Sequence, residues 1–153
     1  MATKKKGELA RNRKARHDFH VLESFEAGIV LVGTEVKSCR DNRISMQDPY
    51  TRIMGGEAFL FNVHIDEFTH GNRFNHEATR PRKLLLHKAE IRKIKQAIDT
   101  KGLTAVPLCF YLKRGKVKVE IGICRGKTKG DKRESLKKRD AAMEIKKAMK
   151  YRD

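Results

Sequence analysis

The chain has 153 residues, with 36 Lys plus Arg against 19 Asp plus Glu, a net charge of +17 and a pI of about 10.1. That length encloses a core in one domain without disulfides or metals, and the hydrophobic share of 39% is low because so many positions carry charge. A surface this cationic repels itself and fits a polyanionic partner, while a secreted disulfide scaffold and a membrane span are excluded by composition and by the lack of any long apolar run.

The opening stretch MATKKKGELARNRKAR is basic but is followed by no apolar segment, so it does not have the form of a secretory signal. Residues 1–16 read as a basic N-terminal arm, residues 17–125 as a folded domain, and residues 126–153 as a tail. DFHVLESF alternates with Phe19, Val21 and Phe25 on one face, and EAGIVLVG continues that strand after an expected kink at Gly28. TEVKSCRDN reads as a short helix capped by Thr34. In EAFLFNVHIDEF the alternation places Phe59, Phe61, Val63 and Ile65 on one face, assigned to the core, and Ala58, Leu60, Asn62, His64 and Asp66 on the other. HKAEIRKIKQAIDTKG is a second helix, with Ile91, Ile94 and Ile98 on one face, Glu90 at the capping-box position and Gly102 as its stop.

PLCFYLKRGKVKVEIGIC reads as a hairpin turning at Arg114-Gly115. Its register pairs Leu112 with Val117, Phe110 with Val119 and Leu108 with Ile121 on a core face. The opposite face pairs Lys113 with Lys116, Tyr111 with Lys118 and Cys109 with Glu120, and is cationic with one aromatic. Strands interrupted by short helices in a chain of this size give a mainly β fold, a small barrel. In the tail, Glu134 to Lys150 holds good helix formers without Pro or Gly, but Leu136 and Met143, or Ala142, Ile145 and Met149, make only a thin apolar stripe. Such a segment is expected to be disordered alone and helical on a polyanion.

Three cysteines, Cys39, Cys109 and Cys124, show no C-x-x-C spacing, which fits a reducing, cytoplasmic compartment without a zinc site. His64 and Asp66, with His70 and His76 beyond them, form no closed ligand set, and scattered carboxylates do not make a two-metal nuclease. No P-loop, G-x-G-x-x-G or G-x-S-x-G is present, so neither catalysis nor a cofactor is expected. Tyr111 beside Lys113, Lys116 and Lys118 is the best candidate for a nucleic-acid contact. Glu26 reads equally as an acceptor for RNA amino groups or as a salt-bridge partner within the barrel.

FEAGIVLVGTEVKSCR, RPRKLLLHKAEI, KVEIG and the GK and DKR of the tail, in that order, closely resemble the small protein B family, the SsrA-binding proteins of bacteria. The resemblance covers nearly the whole chain from Asn12. It implies a closed antiparallel oligonucleotide-binding-like barrel of about six strands with about three peripheral helices and a flexible basic tail. It implies an adaptor, not an enzyme, that binds the tRNA-like domain of transfer-messenger RNA and delivers it to stalled ribosomes. The further implied partners are small-subunit RNA of the decoding centre and messenger channel, and elongation factor Tu indirectly through the charged RNA, with one protein monomer per RNA. The RNA-binding positions it implies are Asn12, Glu26, Ala27, Gly28, Glu35, Lys37, Leu85 and Lys118. The tail positions are Gly126, Lys127, Asp131, Lys132 and Arg133, with Lys137, Lys138 and Arg139 as further phosphate contacts. Where relatives carry His or Tyr just before DKR, this chain has Gly130, so a stacking role does not carry over there. The rival expectations are a constitutive structural protein of the ribosome and a metal-dependent nuclease using His64 and Asp66.

Overall fold

The computed structural model describes residues 6–68 and 75–127. In chain order the elements are β1 (Glu8–Arg11), α1 (Arg13–Asp18), β2 (Phe19–Ile29), α2 (Gly33–Arg40), β3 (Ile44–Met54), β4 (Glu57–Ile65), β5 (Arg82–Leu85), α3 (Lys88–Lys101), β6 (Thr104–Lys113) and β7 (Lys116–Gly126). The strands form one antiparallel sheet in the order β1-β6-β7-β2-β5-β4-β3. β3 curls back against β6 and β1, so the sheet becomes a nearly closed barrel. The described residues hold seven strands where about six were expected. The addition is β1, which pairs with β6, so the basic N-terminal stretch belongs to the sheet from Glu8 onward.

The β6–β7 hairpin has the expected turn, with Arg114 at φ 52 and Gly115 at φ 76. Five of its six expected pairs form: Lys113–Lys116, Leu112–Val117, Tyr111–Lys118, Phe110–Val119 and Cys109–Glu120. The sixth does not, because the register shifts between Pro107 and Cys109 and sets Pro107 opposite Ile121. Two features favour the shift. Pro107 has no N–H to give the ladder. The displaced Leu108 lies over Gly122, where an added Cβ would come within 2.9 Å of its Cδ1.

Two other strands depart from simple alternation. In β4, Ala58, Leu60, Val63 and Ile65 are buried, while Phe59 and Phe61 are only half-buried, which overturns their assignment to the core. Asn62 takes a left-handed φ of 62, so the inward face changes parity there. Phe61 instead stacks on Tyr50 of β3, with ring centroids 5.2 Å apart and planes 9° off parallel. β2 has no break at Gly28. Its irregularity falls between Val21 and Glu23 and turns Leu22 out to solvent.

The helices also sort into matches and corrections. α3 keeps its expected ends: Glu90 accepts from the His87 amide at 3.0 Å, and Gly102 closes the helix at φ 64. Its buried residues are Ile94 and Ala97, with Ile98 packed beside them. The N-cap of α2 is Val32 rather than Thr34. Valine cannot cap with its side chain, so Glu35 reaches back to accept from the Val32 amide at 3.0 Å. Thr34 sits inside the first turn and shares a 2.9 Å hydrogen bond with Nδ1 of His76.

The main core joins Leu60, Ile65 and Leu84 with Phe110, Val119 and Ile121, and α3 closes one end through Ile94. At the other end of the hairpin a smaller cluster of Ala15, Val106, Leu108 and Cys124 sits under α1. The base of the tail is anchored there. The Lys127 amide donates to the Asp18 carbonyl at 2.8 Å, and its Nζ to the Arg16 carbonyl at 2.9 Å. The conditional helix expected beyond this point lies outside the described residues. No helix among the described residues is long and apolar enough to cross a membrane.

Candidate nucleic-acid interface

Sheet register brings residues far apart in sequence into one row. Tyr111 of β6 pairs with Lys118 of β7, Lys118 with Gly28 of β2, and Gly28 with Leu85 of β5. The next row sets Cys109, Glu120 and Glu26 side by side, and Lys113 and Lys116 extend the face to the hairpin turn. Side chains alternate along every strand, so these positions share the outer face of the barrel.

Glu26 is the electrostatic centre of this face. The Tyr111 hydroxyl donates to its Oε2 at 2.6 Å, and Lys113 Nζ approaches the same oxygen at 3.1 Å. These bonds, that from Tyr111 first, hold the Glu26 carboxyl below the usual carboxylate range, aided by the nearby charge of Lys118. The Tyr111 phenol moves up, mainly by burial and then by its bond to Glu26. The salt-bridge reading of Glu26 holds in the free protein, and the same residue lines a surface cleft.

That cleft, of about 710 Å³, is bounded by Glu26, Gly28, Lys83, Leu85, Lys88 and Lys118, with the Gly55-Gly56 turn opposite. Leu85 is 54% exposed, a high value for leucine in a strand. It lies against Gly28, where an added Cβ would stand 3.2 Å from the Leu85 Cβ. Glycine thus lets the leucine lie flat on the sheet. An apolar plate ringed by lysines offers a base or ribose a contact while cations take the adjoining phosphates. Lys83 and Lys88 were not singled out from sequence, and the signal was available. In RKLL, Arg82 and Leu84 point inward, so Lys83 and Leu85 must point out.

Four of the expected contact residues have buried side chains. Asn12, 8% exposed, caps α1 by accepting from the Ala15 amide at 3.2 Å and donates to the Pro107 carbonyl at 2.9 Å. Ala27 is a core residue opposite Val119. Tyr111 is 4% exposed, so its ring has no free face for a base. Glu35 is fully buried. Its Oε2 accepts from Arg82 Nε at 2.6 Å, and its Oε1 takes the Arg80 guanidinium and the Val32 amide. Burial would raise this carboxyl, but those donors outweigh it and hold it below the usual range. In the free protein these four side chains face neighbouring residues, with Asn12, Glu35 and Tyr111 hydrogen-bonded there and Ala27 packed in the core.

Lys37 is exposed on α2, with its ammonium 5.2 Å from the centre of the Phe68 ring. It lines a separate cleft with Thr34, His76 and Arg80, and so is not gathered with Glu26 and Leu85. Gly126 ends β7, and Lys127 is tied to the α1 end. Asp131, Lys132, Arg133, Lys137, Lys138 and Arg139 lie outside the described residues. His64 pairs with Asp66 at 2.9 Å, and among the described residues no group of three or more His, Cys, Asp or Glu is placed to hold a metal ion.

The family model described as SmpB protein matches residues 9–151. An SsrA-binding protein of Levilactobacillus brevis is 55% identical over 143 residues, covering 94% of this chain and 91% of its own. That of Alkaliphilus oremlandii is 51% identical over 153 residues, covering 100% and 99%. A solved chain described as "tmRNA-SmpB: a journey to the center of the bacterial ribosome" superposes with a TM-score of 0.66 at 43% identity, covering 83% of this chain and 93% of its own. The family match over residues 9–151 and the similarity along the whole chain agree, and the chain belongs to the SmpB family of SsrA-binding proteins.

Proposed function

We propose that the chain is the RNA-binding adaptor of trans-translation. It binds transfer-messenger RNA, gripping the tRNA-like domain, and brings it to ribosomes stalled on broken messages. The observation that carries this is the Tyr111–Lys118–Gly28–Leu85 row in a chain matched by the SmpB family over residues 9–151. The lysines around Leu85 neutralise phosphates, the leucine takes a sugar or base, and Glu26 accepts from a donor on the RNA. Such a face recognises a folded RNA by shape and backbone, since the deep groove of A-form helices hides base edges.

The finer picture follows from the same chemistry. Glu26, Gly28, Leu85, Lys113, Lys116 and Lys118 contact the RNA, with Lys83 and Lys88 beside them. Asn12, Ala27 and Tyr111 hold that face in shape, Glu35 stabilises the fold through Arg82, and Lys37 adds a contact at its margin. The tail, from Lys127 through Asp131, Lys132, Arg133, Lys137, Lys138 and Arg139, enters the empty messenger channel and binds small-subunit RNA near the decoding centre. One monomer serves each RNA in the cytoplasm, elongation factor Tu joins through the charged RNA, and the protein catalyses no step itself.

The test is binding of the full chain to a tRNA-like RNA and to an unstructured RNA of equal length, across salt concentrations. The structured RNA is expected to bind tighter throughout. Lys118→Ala is expected to reduce the slope of log affinity against log salt by about one, as loss of a phosphate contact does. Equal affinity for both RNAs would refute the proposal.

A further inference from the structure

Tyr111 has a task that its burial makes legible. A carboxylate on a face bearing Lys83, Lys88, Lys113, Lys116 and Lys118 would, left alone, swing to whichever ammonium is nearest. Here it does not have that freedom. The Tyr111 ring is 4% exposed and fixed by strand pairing to Glu8 on one side and Lys118 on the other. Its hydroxyl meets Oε2 of Glu26 at 2.6 Å across 85 positions of sequence. Lys113 Nζ stands 3.1 Å from Oε2 and 3.3 Å from Oε1. Two donors therefore crowd Oε2, whereas Oε1 has among the described residues only the longer approach of Lys113. A carboxylate oxygen has room for two acceptor contacts, so Oε1 retains capacity, and the residue that carries it lines the Leu85 cleft.

Resting on the adaptor function proposed above, we infer that Tyr111 is a positioning residue: its buried hydroxyl locks the Glu26 carboxylate so that Oε1 is offered to a hydrogen-bond donor of the RNA. That donor is an exocyclic amino group or a ribose 2′-hydroxyl, neutral donors that remain available at the edges of a folded RNA. The phenol is suited to the task because it is uncharged. A phenol directs the carboxylate without placing a second cation beside Lys113, which already pairs with it at 3.1 Å.

The experiment is a double-mutant cycle on the full-length protein with a tRNA-like RNA, using Tyr111→Phe, Glu26→Ala and the pair. Tyr111→Phe keeps the ring, and circular dichroism of each variant checks that the barrel is retained. It is expected to weaken binding about fivefold to tenfold, the scale of one misplaced charge-assisted hydrogen bond. In the Glu26→Ala background it is expected to change nothing further, because it acts only through that carboxylate. RNAs with single 2′-deoxy positions, and RNAs with inosine for guanosine, identify the donor: the substitution that weakens wild type but not Glu26→Ala removes it. If Tyr111→Phe binds like wild type, or costs the same with and without Glu26, the inference is overturned. Wild type binding an unstructured RNA as tightly would instead overturn the adaptor function itself, a distinguishable result.

Discussion

Replacing Glu35 with Ala strands a buried guanidinium. Arg82 is fully buried, and after the substitution it keeps the Val63 carbonyl at 2.6 Å and the Ala78 carbonyl at 2.9 Å but loses its counter-charge. Breaking a buried pair by removing one partner costs about 3–5 kcal/mol. Losing the cap on the Val32 amide adds about 1 kcal/mol. Against a domain stability of about 5–15 kcal/mol, that leaves a folded but fragile protein or none. In urea, with a slope of about 2 kcal/mol per molar, the midpoint is expected to fall by about 2 M. Affinity for the RNA per folded molecule is expected to stay unchanged, because the carboxylate has no exposed surface. A midpoint shift below about 0.5 M would refute the energetic argument. A fully folded Glu35→Ala that no longer binds RNA would refute the positional one.

The Glu35 carboxyl is held below its ordinary value, so its contribution is complete above the ordinary pKa of about 4.3 and is lost as pH falls through the lowered folded value; urea melts of wild type and Glu35→Gln should therefore converge only in acid below about pH 4. Gly28→Val pushes Leu85 off the sheet, since even one added carbon meets its Cβ at 3.2 Å; filter binding is expected to show about a tenfold loss of RNA affinity with the barrel retained, and unchanged affinity would deny the leucine its role. Truncation after Lys127 keeps the anchors on Arg16 and Asp18, so folding and free RNA binding should survive while peptide tagging on stalled ribosomes disappears; continued tagging would dismiss the tail.

What the sequence made legible follows from where local rules agree. The hairpin register came out to five pairs because strand period and a left-handed Arg-Gly turn pointed to the same answer. The register rule failed at Leu108, and simple alternation failed at Leu22 and Asn62. One irregular residue reverses which side faces inward, and its place depends on the partner strand. Asn62 did carry a signal, since Asn tolerates the left-handed region, whereas Leu108 depended on a missing Cβ at Gly122 across the sheet.

The site divides the same way. Lys118 and Lys113 were placed by the hairpin alone. Tyr111 was placed on the right face but its burial was not foreseen, because cover by neighbouring strands leaves no mark on local pattern. Glu35 joins Arg82 across 47 positions, and no periodicity reveals such a pair. Leu85 came only through family resemblance, although the alternation of RKLL, with Arg82 and Leu84 inward, turns it to the outer face.

The central claim is that this protein carries transfer-messenger RNA to stalled ribosomes. The direct measurement uses ribosomes halted at the end of a message without a stop codon, sedimented with labelled transfer-messenger RNA in the presence or absence of the protein. The RNA is expected to sediment with ribosomes only when the protein is added, and to fail with Glu26→Ala. Equal sedimentation without the protein would contradict the account.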